Sequence, residues 1–521
     1  MLVGLAVGLQ GGVSNGVNHG VITMKDLKCF DKVIVGKPDV RPDSIFTKYT
    51  LESRGKSVSS VLRCKYREPF DRASLQRYAS LISTVPAINE GLFADEIILE
   101  YELTPASYQF FSTMLEKSAR EIFVHEFLSH PCYIRKELLP QKEDVQAPAA
   151  RPRAEFLPAG LDSTKYGPKE NIESKVIVSS SGGKESLLCY GLMKEVGAEV
   201  YPVFLNESGG HWKTAITAYR EFQRQDPNTK KVWHNLDQLF LFLVRNMSIL
   251  DQDSIEHRSR TKGHIGVADP INLFSFAYYQ FLMLPLAEKH KIGHLCFGNE
   301  YDDPTEILEG HNKINGIEYY PKVYDQSPEY MSHLNPLLSK EGLDFGVWSP
   351  VGPITGFQVE QILGTRYPSL LPLQRSCHHT HMEGEVSMPC GTCQKCKRII
   401  SFAVAQGIDY HRLGYSDSQV AALPGMLASL HLDHDEQEHL FFKLRQKGYD
   451  VQGKRHDHVE MMHFDSYGTH VNDIPGVFRE QLYGILLNET SGAVFMDQHH
   501  PWRPFDLAAR LMDQPREALR Q

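Results

Sequence analysis

Val176-Ile177-Val178-Ser179-Ser180-Ser181-Gly182-Gly183-Lys184-Glu185-Ser186-Leu187-Leu188 reads as a buried strand, a tight loop and the start of a helix. Two adjacent glycines let the backbone bend and come close to an anion. The helix behind them offers unpaired N–H groups and the positive end of its dipole to that anion. Ser179, Ser181 and Ser186 add hydroxyl donors, and Lys184 adds charge. The spacing is neither the G-x-x-x-x-G-K-[ST] phosphate loop nor the G-x-G-x-x-G dinucleotide fingerprint, so γ-phosphoryl transfer and hydride transfer both lose weight. Gly-rich turns of this kind also occur as plain strand-to-helix connections, and the surrounding sequence has to decide.

Downstream of Lys175, short apolar strands alternate with helices. A helix near Ser186 to Val196 is followed by the strand Val200 to Leu205, and a helix over Asn272 to His290 by the strand His294 to Phe297. This alternation predicts α/β architecture with βαβ units and a mostly parallel sheet, with substrate beyond the carboxyl ends of the strands. Residues 172–409 form this central domain. Upstream, 24–140 mix strand-like alternation (Glu96 to Glu102) with a helical pattern (Ala106 to Leu128), as a small α+β domain does. The Pro-, Ala- and charge-rich stretch 141–171 reads as a linker. The last region, 410–521, is dense in His and includes His431, His434, His439, His456, His458, His463 and His470. Helical periodicity around Glu436 to Arg445 predicts that it folds. Residues 1–23 are apolar and Gly-rich without a positive start, and are expected to be a disordered leader.

The chain has 521 residues, 41% hydrophobic and 23% charged, and a net charge of −9, the composition of a globular protein without a chain-wide basic field. A nucleic-acid partner is therefore disfavoured. No apolar run is long enough to span a bilayer, so no membrane partner is expected. Nine cysteines in so long a chain form no disulfide framework, which points to a reducing, cytoplasmic setting.

Four of those cysteines fall close together. Cys377 is followed by Cys390-Gly391-Thr392-Cys393-Gln394-Lys395-Cys396, a spacing that closes a tetrahedral thiolate site around zinc, with an iron–sulfur cluster as the competing occupant. Gly391 allows the turn that aims backbone N–H groups at sulfur. His378, His379 and His381 are polar loop residues that could substitute for a ligand. Asn299 and Glu300 follow the strand ending Cys296-Phe297, where a switch-point cleft places side chains on substrate or metal and where cap residues also stand. His264 and Lys262 could meet phosphate or act as a base. Arg455-His456-Asp457-His458 with His463 has the ligand types of a second metal site without a known spacing, and a solvated loop is the plainer reading.

The S-G-G-x-[DE]-S loop combined with C-x12-C-G-x-C-x-x-C resembles the PP-loop ATP pyrophosphatase superfamily. Within it, Gly263-His264-Ile265-Gly266-Val267, Phe297-Gly298-Asn299-Glu300 and the cysteine segment resemble the ATP-dependent epimerases of UDP-MurNAc-L-Ala-L-Glu. The 7-cyano-7-deazaguanine synthases are more distantly similar. The likeness covers roughly residues 60–405. It implies a Rossmann-like parallel sheet with helices on both faces, ATP, Mg2+ and Zn2+ as cofactors, a small-molecule acid as substrate, and attack of a carboxylate on the α-phosphate to give AMP and pyrophosphate. Lys184, Glu185, Asn299 and Glu300 would then be catalytic. Ser179, Ser181, Gly182, Gly183, Lys184 and Ser186 would hold pyrophosphate, and Cys377, Cys390, Cys393 and Cys396 zinc. An amide- or nitrile-forming ligase, a tRNA-thiolating enzyme and a non-catalytic binding module are the alternatives. Three features depart from the family pattern: Glu185 replaces Asp, His378-His379-Thr380 replaces Asn-Arg, and the region after residue 409 has no counterpart.

Overall fold

A computed structural model describes residues 27–129, 131, 133–140, 145–207, 210–256, 274–343 and 345–512. The leader expected over 1–23, and the Lys262 to Val267 segment with His264, lie outside the described residues.

The molecule is a mixed α/β protein built on one large, mostly parallel sheet of eleven strands. Its central block comprises β7 (Ile172–Ser180), β8 (Glu199–Glu207), β9 (Lys230–His234), β10 (Ile292–Cys296) and β13 (Gly346–Trp348), ordered β13-β10-β7-β8-β9 and parallel throughout. Val176, Ile177 and Val178 are all buried, as a central strand covered on both faces requires. The first block comprises β1 (Phe30–Val35), β2 (Asp39–Arg41), β3 (Ser44–Ser53), β4 (Lys56–Tyr66), β5 (Ala94–Leu99) and β6 (Glu155–Pro158). β3 and β4 form a long hairpin whose turn, Arg54-Gly55, has positive φ at both positions (51° and 74°), the two-residue geometry that matches strand twist.

Two features depart from the sequence reading. The stretch expected as a linker, 141–171, contributes β6, which pairs in parallel with β5 at the sheet's far end. Phe156 is its one buried side chain, and a single buried position in a four-residue strand is too weak a period for sequence to register. The first block also has no sheet of its own. β4 pairs antiparallel with β9 through Cys64, Lys65 and Tyr66, fusing both blocks into one sheet. Across this seam the Tyr66 hydroxyl donates to the Leu282 carbonyl at 3.0 Å, and Cys64 Sγ meets the Tyr278 hydroxyl at 3.0 Å.

The His-rich region folds, as its periodicity predicts. Helices His434–Gln446 and Gly476–Glu489 accompany a three-stranded sheet of β16 (Met462–Asp465), β17 (Ala493–Asp497) and β18 (His500–Pro504). Met462, Phe464 and Phe478 pack into the same cluster as Val176, Val178 and Trp348, so this region sits directly on the central block. The two short hairpins are β11–β12 (Lys313–Ile314, Ile317–Glu318) and β14–β15 (His381–Glu383, Val386–Met388). Among the described residues no helix is long and apolar enough to cross a membrane.

Candidate functional site

Strand order places the site. Successive strands run outward from β7 through β8 to β9 on one side, and through β10 to β13 on the other, so the order reverses between β7 and β10. A crevice opens at the carboxyl ends of strands where such a reversal occurs. The Ser-Gly-Gly loop leaves β7 on one lip, and Gly298-Asn299-Glu300 leaves β10 on the other. The lips touch: a Cβ added at Gly298 would fall 2.6 Å from Glu185 Cβ.

Within the loop, Gly182 adopts φ of 76°, and a Cβ there would stand 2.8 Å from the Thr214 carbonyl oxygen, so both conformation and space demand glycine. Gly183 is the N-cap of the Lys184–Glu195 helix and contributes no side chain to it. Serine oxygens occupy the loop's amides instead. Gly183 N–H donates to Ser181 Oγ at 3.3 Å, Ser181 N–H to Ser186 Oγ at 3.3 Å, and Lys184 N–H to Ser376 Oγ at 3.4 Å. These are long bonds, and an anion with stronger acceptor oxygens can displace them. Ser179 is the half-buried penultimate residue of β7, and the Ser186 hydroxyl donates to the Gly183 carbonyl at 3.1 Å.

Lys184 is buried where the two lips meet. Its side chain is 2% exposed, and its ammonium does not face outward but is held between Glu185 Oε1, at 2.8 Å, and Glu300 Oε2. Burial draws the ammonium's pKa down, yet the two carboxylates outweigh burial and keep it above the ordinary lysine range. Burial likewise raises Glu185, and Lys184 more than reverses it. Arg398 Nη1 reaches Glu300 Oε1 at 3.3 Å. Two cations and two carboxylates therefore meet where the lips touch. Asn299 enters through its backbone: its carbonyl accepts from Ser349 Oγ at 2.6 Å, the behaviour of a turn residue.

The four cysteines converge. Their sulfurs all lie within 4.8 Å of one another, with Cys390–Cys396 at 3.9 Å and Cys377–Cys393 at 4.0 Å. A tetrahedron with metal–sulfur bonds of about 2.3 Å has edges of about 3.8 Å, so the set fits a metal ion such as zinc. Backbone N–H groups of His379 and Cys390 point at Cys377 Sγ (3.2 and 3.3 Å), and those of Thr392 and Cys393 at Cys390 Sγ (3.5 and 3.4 Å). Gly391, at φ of 75°, makes the turn that aims the last two. His378, His379 and His381 fall outside this sulfur set. The centre also supports the loop, because Arg375 N–H donates to the Gly182 carbonyl at 2.8 Å and Ser376 Oγ holds Lys184 N–H.

Beyond Glu300 a cavity of about 410 Å³ opens between the strand ends and the C-terminal region. Its wall carries Glu300, Asp302, Asp303, Asp433, Asp435 and Glu436 against the cations Lys322 and Arg398. Lys322 ties the two sides together, reaching Asp433 at 2.7 Å and Asp302 at 3.4 Å. Burial, with Glu300 nearby, pushes the Glu436 carboxyl up to about 7. Its oxygen accepts from Phe357 N–H at 2.7 Å, at the start of the Gly356–Arg366 helix. On that helix Glu360 is fully buried, bonded to Gln374 at 2.9 Å, and burial pushes it up to about 7.

Ser376, Glu360, Arg398 and three of the cavity's carboxylates, Asp433, Asp435 and Glu436, were given no role in the sequence reading. Only Ser376 and Arg398 carried a signal, each lying one or two positions from a spaced cysteine. Comparison with protein-family models gives no match, and comparison with curated protein sequences gives none either.

Proposed function

We propose that this chain is a PP-loop ATP pyrophosphatase with a Rossmann-like core that adenylates a substrate carboxylate, of the glutamate-epimerase type acting on UDP-MurNAc-L-Ala-L-Glu or a related peptide-like acid. The observation that carries the reading is the Ser-Gly-Gly loop at the sheet's switch point, tethered through Arg375 and Ser376 to a four-cysteine cluster.

In this reading the loop amides, with Ser181 and Ser186, take the β- and γ-phosphates of ATP at the helix N-terminus. A carboxylate oxygen of the substrate attacks the α-phosphorus, the bond to the bridging oxygen breaks, and pyrophosphate leaves. The acyl adenylate acidifies the neighbouring Cα–H. A base removes that proton, a proton returns to the opposite face, and water then cleaves the mixed anhydride to acid and AMP. Glu185 and Glu300 would supply oxygen donors of the kind magnesium prefers, and the ion, when bound, would offset phosphate charge. Lys184 orients both carboxylates from within. Zinc in the four-cysteine cluster would be structural, since a site with four protein ligands leaves no open position.

The test is nucleotide analysis with magnesium-ATP across UDP-muramoyl peptides, deazaguanine acids and free amino acids. AMP and pyrophosphate formed only with a particular acid is the expected result. In deuterated water, one deuterium gained without nitrogen marks epimerisation, whereas nitrogen gain marks a ligase. ADP with phosphate as sole products, or no turnover with any acid, overturns the proposal.

A further inference from the structure

On the far wall of the cavity, three side chains from two separated segments converge on one point. Asp435 opens the His434–Gln446 helix, while His456 and His458 come from the loop that precedes β16. His458 Nε2 lies 2.9 Å and His456 Nδ1 lies 3.2 Å from the same oxygen, Asp435 Oδ2. All three ligand atoms fall within 4.8 Å of one another. A tetrahedron with bonds of about 2.0 Å to nitrogen and oxygen has edges of about 3.3 Å, close to both distances.

The outward faces of the two rings are occupied. His456 Nε2 meets Glu438 Oε2 at 2.6 Å, and His458 Nδ1 meets His463 Nε2 at 3.2 Å. Trp502 stacks on the His458 ring, with centroids 4.9 Å apart and planes at 23°. The rings are 13% exposed, so neither is a solvated surface histidine. Metal-bound imidazoles characteristically turn one nitrogen to the ion and give the other N–H to an acceptor that fixes the ring. With an ion bound, His456 would turn Nδ1 to the metal and keep Nε2–H on Glu438, so the acceptor that fixes the ring is already in place.

We infer that Asp435, His456 and His458 form a second metal site, separate from the four cysteines, that takes a borderline divalent ion such as zinc or cobalt. Two imidazoles and a carboxylate suit that class of ion, whereas magnesium and calcium prefer oxygen alone. Three protein ligands leave a fourth position. Asp435 and His458 line the cavity wall, so that position opens towards Glu300 and Arg398 and would accept an anionic oxygen, from a carboxylate or a phosphate. The excess of carboxylates around the cavity favours the cation's entry. This inference needs neither ATP nor the Ser-Gly-Gly loop and stands apart from the adenylation proposal.

The experiment is cobalt and zinc titration of the full chain after dialysis. Thiolate-to-cobalt charge transfer reports the cysteine centre, and a ligand-field band that grows without further charge transfer reports the second site. Wild type should bind two metals per chain. Asp435→Asn and His456→Gln should each bind one, keeping the charge-transfer band and, in excess chelator, the melting temperature of wild type treated alike. Saturation of the wild type at the cysteine centre alone overturns the proposal, as does retention of two metals in a correctly folded variant. His458→Gln is the third variant should one of these fail to fold, with the same single-metal result expected. Because the readout is stoichiometry, failure here leaves nucleotide turnover unaffected, and failure of turnover leaves this result intact.

Discussion

The four-cysteine cluster and the His-Asp cluster both gather metal-ligand side chains, yet they are built differently. The first draws three of its four ligands from seven consecutive residues, surrounds its sulfurs with backbone N–H groups, and sits among the apolar side chains that hold the Gln394–Gln406 helix. The second joins residues about twenty positions apart, uses side chains for its outer bonds, and faces a cavity. A ligand set enclosed by backbone and core is coupled to folding, whereas one on a cavity wall is coupled to whatever enters.

The sharpest contrast should come from Cys393→Ser. Ion binding contributes about 10–16 kcal/mol in small zinc-folded peptides, and losing one ligand forfeits part of such a term. The melting temperature should fall by on the order of 10 °C, with metal released from this centre. Calorimetry alongside metal analysis checks this, and an unchanged melt would erase the distinction between the clusters.

Lys184 lies between the two regions. Breaking a buried ion pair costs about 3–5 kcal/mol, and Glu185 and Glu300 are 30% and 23% exposed, so Lys184→Ala should destabilise by about 3 kcal/mol. Adding Glu185→Gln to it should recover part of that loss, because Glu300 keeps Arg398 as its partner and no carboxylate of the cluster is then left without a cation. Denaturant titration measures both. A chain whose stability ignores Lys184→Ala would place this ammonium back at a surface.

A pH series separates the regions in another way. Glu360 has a folded pKa pushed up to about 7 from the ordinary 4.5, so the folded state holds its proton more tightly than the unfolded state does. Its stabilisation is complete below about 4.5 and is lost as pH rises through about 7, a change on the order of 3 kcal/mol. Glu360→Gln should remove that slope, and equal pH dependence in both proteins would count against a proton held there. The smallest effect belongs to Glu438→Gln. Outer-shell changes typically weaken metal binding about 10–100-fold. Cobalt titration should show this at the second site alone, with the melting temperature in chelator close to that of wild type.

The contrast also explains what the sequence could disclose. The cysteine cluster was legible because its ligands are neighbours in the chain and the turn between them needs a glycine. The strand-loop-helix at Val176 to Leu188 was legible for the same local reason, as was the folding of the His-rich region over its described residues, 410–512. The burial of Lys184 was not, since its partner Glu300 stands 116 positions away. Asp435 gave no sign of meeting His458, because only the packing of the His434–Gln446 helix brings them together. The strand inside 155–158 was hidden by its charged and proline-rich surroundings.

The β4–β9 seam has a consequence for how the molecule is made. Arg63 N–H donates to Asn235 Oδ1 across 172 positions of chain, and three strand positions beside it close the sheet. Loop-closure entropy weighs against contacts of such separation until much of the chain is present. During synthesis the β3–β4 hairpin emerges before β9 with one edge bare, and it must wait for β9 before the Cys64 to Tyr66 end of that edge is covered. Over that interval β4, with Cys64 and Tyr66 exposed, is open to pairing with another nascent chain, as unpaired strand edges are. The lysines at Lys56 and Lys65, one near each end of β4, are the residue type that holds a bare edge back from such pairing.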